Sequence, residues 1–498
     1  LQAQEILEKD YKVAADVWSV TSYKELRREA LEVERWNMLN PDKKQKTSFI
    51  TQTLSKEDIR DDIVGDIYRT SASICKESVQ YTNTDKLYRS EKLDKIFTSP
   101  IWGFPIMLGI LSIIFYLTIA GANVPSDMIA EFFGWAEGYL TSWFQAAHAP
   151  EWLHGILILG LFRGIGAVIS VMLPPMAIFF PMFALLENYG YLPRVAFNMD
   201  RLFKRSGAHG KQSLTMAMGF GCNAAAIMST RIIESPRERM LAILTNNFVP
   251  CNGRWPMLIL MASLFMAAGY TGSMQTLVTA GVVVGMVVIG IIMTLTVSWV
   301  LSKTALKGVP THYTLELPPY RKPKVWNTIV RATLDKSIYV LKRAIVVAAP
   351  AAALTWLLAN IFIGDTSLLM YFVNFLDPFA KMLGLDGFIL AAFILGLPAN
   401  EIVIPILLMS YLSTGALTEI DDFNQIKNLF LENGWTWLTA LNTMLFSLLH
   451  FPCGTTLVNI YKETKSAKWT FLSFAIPTVI AIVVTFLSTQ LVHWLGLV

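Results

Sequence analysis

Six side chains stand out for their chemistry and for where they fall: Cys222 and Asn223, Cys251, Asn400 and Glu401, and Cys453. Each lies in an apolar run close to a helix-breaking residue. Gly219 and Gly221 precede Cys222, and Pro250, Pro398 and Pro452 precede Cys251, Asn400 and Cys453. Thiolates suit borderline and soft first-row metals, whereas carboxylate and amide oxygens suit harder ones. The mixed set is compatible with Fe(II), Mn(II), Co(II) or Zn(II) and fits Na⁺, K⁺ or Mg²⁺ poorly. Glu401 is the sharpest signal, because an ionisable group inside an apolar run is functional by default. Its other readings are a proton carrier or a packing partner of Arg254. A cysteine in such a run also serves as a small hydrophobe, so ligand and packing readings of the thiols stand side by side.

Other reactive side chains say less. Met216, Met218 and Met228 could be thioether ligands, but at helical spacing they read as packing. The histidines, among them His148, His154, His209, His450 and His493, show no zinc-binding spacing. Arg163 has a loose counterpart in Arg343 and reads as a side chain snorkelling to an interface. There is no phosphate-binding loop, since Gly210-Lys211 is followed by Gln212 and lacks the upstream glycine. The D-x-x-G match at 62–65 carries no weight by itself.

The elements that must position these residues are membrane helices. The chain has 498 residues, 54% hydrophobic and only 16% charged, with a formal charge of +4. Soluble domains carry about 25% charged residues. The deficit is uneven, because residues 1–98 hold 35 of the 78 Lys, Arg, Asp and Glu. The remainder has several apolar stretches near the roughly 20 residues that cross a bilayer as a helix. That excludes a soluble enzyme, a disordered scaffold and a disulfide-knit secreted domain; non-alternating runs exclude a membrane barrel. The small positive charge needs no nucleic-acid partner. Four cysteines make no disulfide framework.

The fold class read from this pattern is all-α: a polytopic helical membrane protein with broken or re-entrant helices. Crossings are expected near 100–122, 155–187, 237–268, 275–302, 343–363, 436–460 and 469–495. Two interrupted apolar segments, 212–230 and 388–412, add to them. The aromatics of 128–148 suggest a helix lying at the interface. Residues 1–98 read as polar helices, with Ser55 and Asp58 as a capping box. Nine Lys or Arg in 303–343 mark that loop as cytoplasmic, as do Lys462, Lys465 and Lys468 for theirs. Basic residues on both sides of 212–230 make it re-entrant, which puts the N-terminus inside and, by counting, the C-terminus outside. The chain opens at Leu1 rather than a methionine and is expected to be a fragment.

An internal repeat links the six residues. Asp200, Lys204, Gly207 and Gly210 match Asp377, Lys381, Gly384 and Gly387 at a constant offset of 177. The register runs on without a gap, pairing Gly219, Asn223 and Ile227 with Gly396, Asn400 and Ile404. F-V-P-C-N-G at 248–253 resembles H-F-P-C-G-T at 450–455. With the charge rule, the two copies are inverted, and paired broken helices point to a site near the bilayer midplane. The expected organisation is a helical linker (1–98), a first crossing with its interfacial helix (99–150), gate repeat 1 (151–304), a basic cytoplasmic loop (305–342), and gate repeat 2 with the last crossing (343–498).

At these residues the chain resembles the membrane part of the bacterial ferrous iron transport protein B family. The resemblance runs from about residue 90 to 495. It is carried by L-E-N-Y-G-Y-L-P-R-V-A-F-N-M-D-R-L (186–202), G-F-G-C-N-A-A-A-I-M-S-T-R (219–231), S-P-R-E-R (235–239), N-E-I-V-I and F-P-C-G-T-T. Two departures are visible. Pro250-Cys251-Asn252-Gly253-Arg254 stands where the family has a Ser-Cys-Gly-Ala-Arg pattern, and Asn400-Glu401 where it has Lys-Glu. The resemblance implies a multi-pass cytoplasmic (inner) membrane importer of Fe(II), not an enzyme, with cysteines in two gate motifs that bind or relay iron. It further implies control by GTP and Mg(II) through an upstream GTP-binding domain that this chain lacks. A small cytoplasmic accessory protein and a homo-oligomer are further partners it allows. The alternative reading is a secondary transporter of an organic solute, such as a nucleoside, with Glu401 as its coupling site.

Overall fold

The computed structural model describes residues 23–39, 46–48, 66–75, 92–99, 101–307, 320, 324–412 and 423–496. The chain divides into two units, Leu1–Thr84 and Asp85–Val498. In the first, α1 (Tyr23–Leu39) and α2 (66–75) are helices, as their polar periodicity predicts, and Ile67 and Ile74 are exposed. The expected capping box at Ser55 and Asp58 lies outside the described residues.

The second unit is a multi-pass helical membrane body. A short helix, α3 (92–97), precedes α4 (Gly103–Ala146), an unbroken helix of 44 residues. At 1.5 Å per residue it is about 66 Å long, some twice a bilayer core of roughly 30 Å. The aromatics of 128–148, expected on a separate interfacial helix, are its continuation; Pro125 lies within it. Then come α5 (Glu151–Tyr189, with a wide π turn at Gly155–Phe162), α6 (Tyr191–Arg205), α7 (Gln212–Gly221) and α8 (Asn223–Ser229). After α9 (Pro236–Thr245) the chain reaches the first Pro-Cys turn and continues in α10 (Trp255–Met261) and α11 (Ser273–Lys303).

The second half repeats the plan. It comprises α12 (325–360), a two-residue hairpin of β1 (Phe362–Ile363) and β2 (Thr366–Ser367), α13 (Leu368–Met382), α14 (Gly387–Leu395) and α15 (Val403–Leu412). Next are α16 (Phe423–Glu432), α17 (Trp437–Leu449), α18 (Gly454–Thr464) and α19 (Ala467–Trp494). Among the described residues four helical stretches are long and apolar enough to cross a membrane: Glu151–Tyr189, Ser273–Lys303, Trp437–Thr464 and Ala467–Trp494. The pair α13 and α14 would make a fifth, bent by 111°. The expected crossing at 237–268 is not one helix: α9 ends before Pro250, and two short 3-10 turns separate it from α10. A proline supplies no N–H and pushes its predecessor out of the helical region, which is why both Pro-Cys sites interrupt helices.

The 177-residue register is visible in the backbone. Cys222 (φ −156°, ψ 118°) and Ala399 (φ −151°, ψ 121°) are both extended at the mid-segment break. Gly207 and Gly384 both take the left-handed conformation, at φ +72° and +66°. Gly210 and Gly387 each press on the side chain of the aspartate ten residues upstream, Asp200 and Asp377. Those aspartates pair with Lys204 at 3.0 Å and Lys381 at 2.6 Å. The last helices add a match invisible in the ungapped sequence: Thr294 and Ser298 of α11 are buried like Thr485 and Thr489 of α19.

One buried cation anchors the entry to the body. Arg194 of α6 donates to Asp94 at 2.9 Å and to the Gly190 carbonyl at 2.7 Å, with its guanidinium 4.1 Å from the Tyr320 ring centre. Tyr320 donates its hydroxyl to Asp94 at 2.8 Å. Burial first, and then that hydrogen bond, raises the Tyr320 phenol well above its ordinary range.

Candidate functional site

Each of the three membrane cysteines occupies the same local position, an extended residue immediately before a helical turn. Cys222 (ψ 118°) precedes α8, Cys251 (ψ 172°) precedes the turn Asn252–Arg254 that leads into α10, and Cys453 (ψ 157°) precedes α18. The sulfurs therefore face backbone N–H groups: Ala224 and Ala225 for Cys222, Gly253 for Cys251, Thr456 for Cys453. The three thiols lie close enough to interact electrostatically with one another.

The second break completes the group. The Asn400 amide approaches Cys251 Sγ at 3.9 Å, and Glu401 is within electrostatic range of both Cys251 and Cys453. The Glu401 carboxylate lies directly against Gly253, where even a methyl would collide. On the other side Asn223 donates to the Val249 carbonyl at 3.4 Å, two residues before Cys251. All six residues singled out by sequence thus gather around the contacts between the breaks. Cys453 Sγ also meets the Thr456 hydroxyl at 3.1 Å.

Among the described residues no group of three or more His, Cys, Asp or Glu closes around a point that could hold a metal ion. The donors are strung along the break rather than gathered into a cage. A cavity of about 10 Å³ sits between Gly221, Asn252, Phe179 and Trp255, room for a single water molecule or ion.

Arg254 does something different from pairing with Glu401. It is 1% exposed, and its guanidinium donates to the carbonyls of Asn247 (2.7 Å), Leu448 (2.9 Å), His450 (3.2 Å) and Phe451 (3.2 Å). Asn247 adds its own bond to the His450 carbonyl at 2.6 Å. The first Pro-Cys turn thereby caps the unsatisfied carbonyl end of α17, just ahead of the second. Farther along, α8 and α18 run together from their cysteines. Asn459 donates to the Ala224 carbonyl at 3.0 Å, and Glu463 accepts from Arg231 (2.6 Å) and Arg239 (2.8 Å).

Sequence reasoning missed Asn246, Asn247 and His450. His450 Nδ1 faces the carbonyls of Phe446 and Ser447, both at 2.9 Å, so it carries the proton, and Nε2 has no partner among the described residues. The signal for it was present, since His450 stands where the first copy has Phe248. Met216 and Met218 pack in apolar clusters, as their spacing predicts. Arg163, expected to snorkel, pairs with Glu137 at 3.2 Å beside a polar cavity of about 280 Å³.

Comparison with known proteins bears on the same segments. A gate family described as nucleoside recognition matches residues 169–265 and 341–467. These two stretches fall on the two copies and contain all six residues. A second family, ferrous iron transport protein B C terminus, matches residues 283–335. The chain is 33% identical over 432 residues to the Fe(2+) transporter FeoB of Staphylococcus aureus (strain COL), covering 84% of this chain and 62% of that protein. It is 28% identical over 465 residues to the Fe(2+) transporter FeoB of Methanocaldococcus jannaschii, covering 90% and 65%. A Porphyromonas gingivalis relative, 26% identical over 84% of this chain and 53% of its own length, is named an Fe(2+) transport protein A/Fe(2+) transporter FeoB fusion protein. The chain spans a little over three-fifths of the length of the first relatives it matches. No solved structure matches it.

Proposed function

Because the chain belongs to the ferrous iron transport protein B family, we propose that it forms the membrane pathway through which Fe(II) is taken up across the cytoplasmic membrane. Cys222, Cys251 and Cys453 are the thiolate donors, helped by Asn223, Asn400 and Glu401. The observation that carries the reading is the repeated cysteine geometry: three thiols, each facing the amides of a helix start, at the meeting point of the paired breaks. Fe(II) exchanges water for thiolate and oxygen donors one or two at a time, and each thiol releases its proton as the metal binds. In the same proposal the two copies are inverted, the N-terminus is cytoplasmic, and an upstream GTP-binding domain with Mg(II) controls the passage. A small accessory protein is proposed by analogy with the fusion relative.

The test is anaerobic uptake of Fe²⁺ into liposomes carrying this chain, beside Mn²⁺, Co²⁺ and Zn²⁺. Expected is Fe²⁺ uptake, or cysteine-dependent Fe²⁺ binding where flux needs the upstream domain, lost in Cys222→Ser. Unchanged uptake in the triple Cys→Ser variant would overturn the reading. The description of the gate family favours one other reading, a nucleoside transporter. The cavity between Gly221 and Asn252, about 10 Å³, is far below the 300 Å³ or more of an ordinary small-molecule site. Nucleoside binding without metal binding would favour that alternative.

A further inference from the structure

Beside α7, the helix that ends just before Cys222, the packing leaves a space unfilled. It measures about 110 Å³ and lies between α4, α5, α6, α7 and α11. One face of α6 supplies Leu192, Val195, Met199 and Phe203, at the i, i+3, i+7 and i+11 spacing of an amphipathic helix. Met216, Ala217 and Phe220 come from α7, and Val287 and Ile291 from α11. Protein interiors hold few voids larger than a water molecule. This one is several times the roughly 10–15 Å³ that admits a single water.

Its lining suits hydrocarbon rather than water. A buried water needs about two to four polar partners, and only two lining side chains are polar, Tyr191 and Ser213. Ser213 already donates its hydroxyl to the Gly210 carbonyl at 2.7 Å. An apolar cavity of roughly 150 Å³ is known to stay dry and to take up a small hydrocarbon. Leu108 of α4, another lining residue, is 57% exposed, so the space opens on the outer surface of the helical body. Val287 and Ile291 flank residue 288, the centre of α11 (Ser273–Lys303). The cavity therefore lies at the depth of the acyl chains, away from the headgroups.

We propose that this cavity takes the end of one acyl chain from a phospholipid of the surrounding bilayer. Hydrocarbon chains are what the membrane offers at that depth, and the chain end completes the packing between α6 and α7. It rests on Phe220, two residues before Cys222. The repeat does not impose the space. In the 177-residue register Val195, Met216 and Ala217 match the bulkier Phe372, Phe393 and Ile394, although Phe203 and Phe220 match the smaller Ala380 and Leu397. Binding of the chain end is independent of what passes through the thiol-lined pathway.

Photolabelling in liposomes tests it. The vesicles are phosphatidylethanolamine and phosphatidylglycerol with a trace of phosphatidylcholine that carries a diazirine near the end of one acyl chain. Cross-links, mapped by mass spectrometry, are expected at Met199, Met216 and Phe220 as well as at Val284 and Val288, which are 60% and 47% exposed on α11. Two variants fill the space from different helices. Ala217→Ile places the second copy's own residue on α7, and Val195→Phe does the same on α6. Each is expected to cut the cross-links at Met199, Met216 and Phe220 at least fivefold (a magnitude on the scale of one lost apolar contact), with Val284 and Val288 unchanged. The Tm in detergent should hold or rise, since the added carbons occupy empty room. Labelling confined to Val284 and Val288 in the unsubstituted chain would overturn the proposal, as would cavity labelling that both variants leave unchanged. A fall in Tm in both variants would mean that there is no space to fill, and would overturn it too.

Discussion

The carboxylate of Glu401 rests against the bare Cα of Gly253, so closely that no side chain fits between them. This contact joins the break of the second copy to the Pro-Cys turn of the first. It also holds the one acidic group of the site within range of Cys251 and Cys453.

Replacing that glycine moves the carboxylate. Gly253→Ala is expected to cost about 1–3 kcal/mol of stability, as overpacking of a tight contact does, and to cut Fe²⁺ uptake severalfold. Uptake and thermal unfolding of Gly253→Ala, Glu401→Gln and the double variant form a cycle. Additive effects would mean that the contact does not position the carboxylate.

Arg254 is expected to be a structural residue. Arg254→Met leaves the carbonyls of Asn247, Leu448, His450 and Phe451 without their shared donor. Leaving a buried acceptor unsatisfied costs about 1–3 kcal/mol, and Arg254→Lys recovers only part of it because an ammonium lacks the planar fork. Chemical denaturation in detergent measures the loss. Full stability together with lost transport would instead place Arg254 in the pathway.

Metal binding should strengthen as pH rises. Each thiol gives up a proton when it takes a metal, so affinity falls as acid is added, by up to about tenfold per pH unit for each proton displaced. Titration with Co²⁺, followed by the sulfur-to-metal charge-transfer absorption, reads this directly. Cys→Ser variants should show a shallower pH slope and a weaker band. A slope unchanged by all three substitutions would remove the thiols from the coordination sphere.

The ends of α8 and α18 offer a separate test. Glu463, 5% exposed in its side chain, holds Arg231 and Arg239. Glu463→Gln is expected to destabilise by about 1–2 kcal/mol, discounted because Arg231 is largely exposed and its share of the attraction is screened. Added salt should then change the Tm of the unsubstituted chain more than that of the variant.

Local chemistry let the sequence by itself determine a good deal. Long apolar runs fixed the membrane body, because unpaired backbone groups in lipid leave little choice but helices. Glycine and proline marked where those helices break, and the 177-residue register marked that they break twice in the same way. Cys222, Asn223, Cys251, Asn400, Glu401 and Cys453 were legible because each stands at such a break. What only the tertiary structure decided are pairings across long stretches of chain. Arg254 could be read as a partner for Glu401, but its guanidinium goes to carbonyls nearly 200 residues away, where the end of α17 leaves acceptors that nothing local can satisfy. Asn246 and His450 look like ordinary polar residues in sequence; only folding leaves one polar atom of each without a partner among the described residues. The aromatic stretch at 128–148 suits an interfacial helix by composition, yet α4 continues through Pro125 to Ala146 without a break. Breaks are written locally, in residues that cannot continue a helix. Which breaks meet, and which atoms they leave open, depends on packing between the copies.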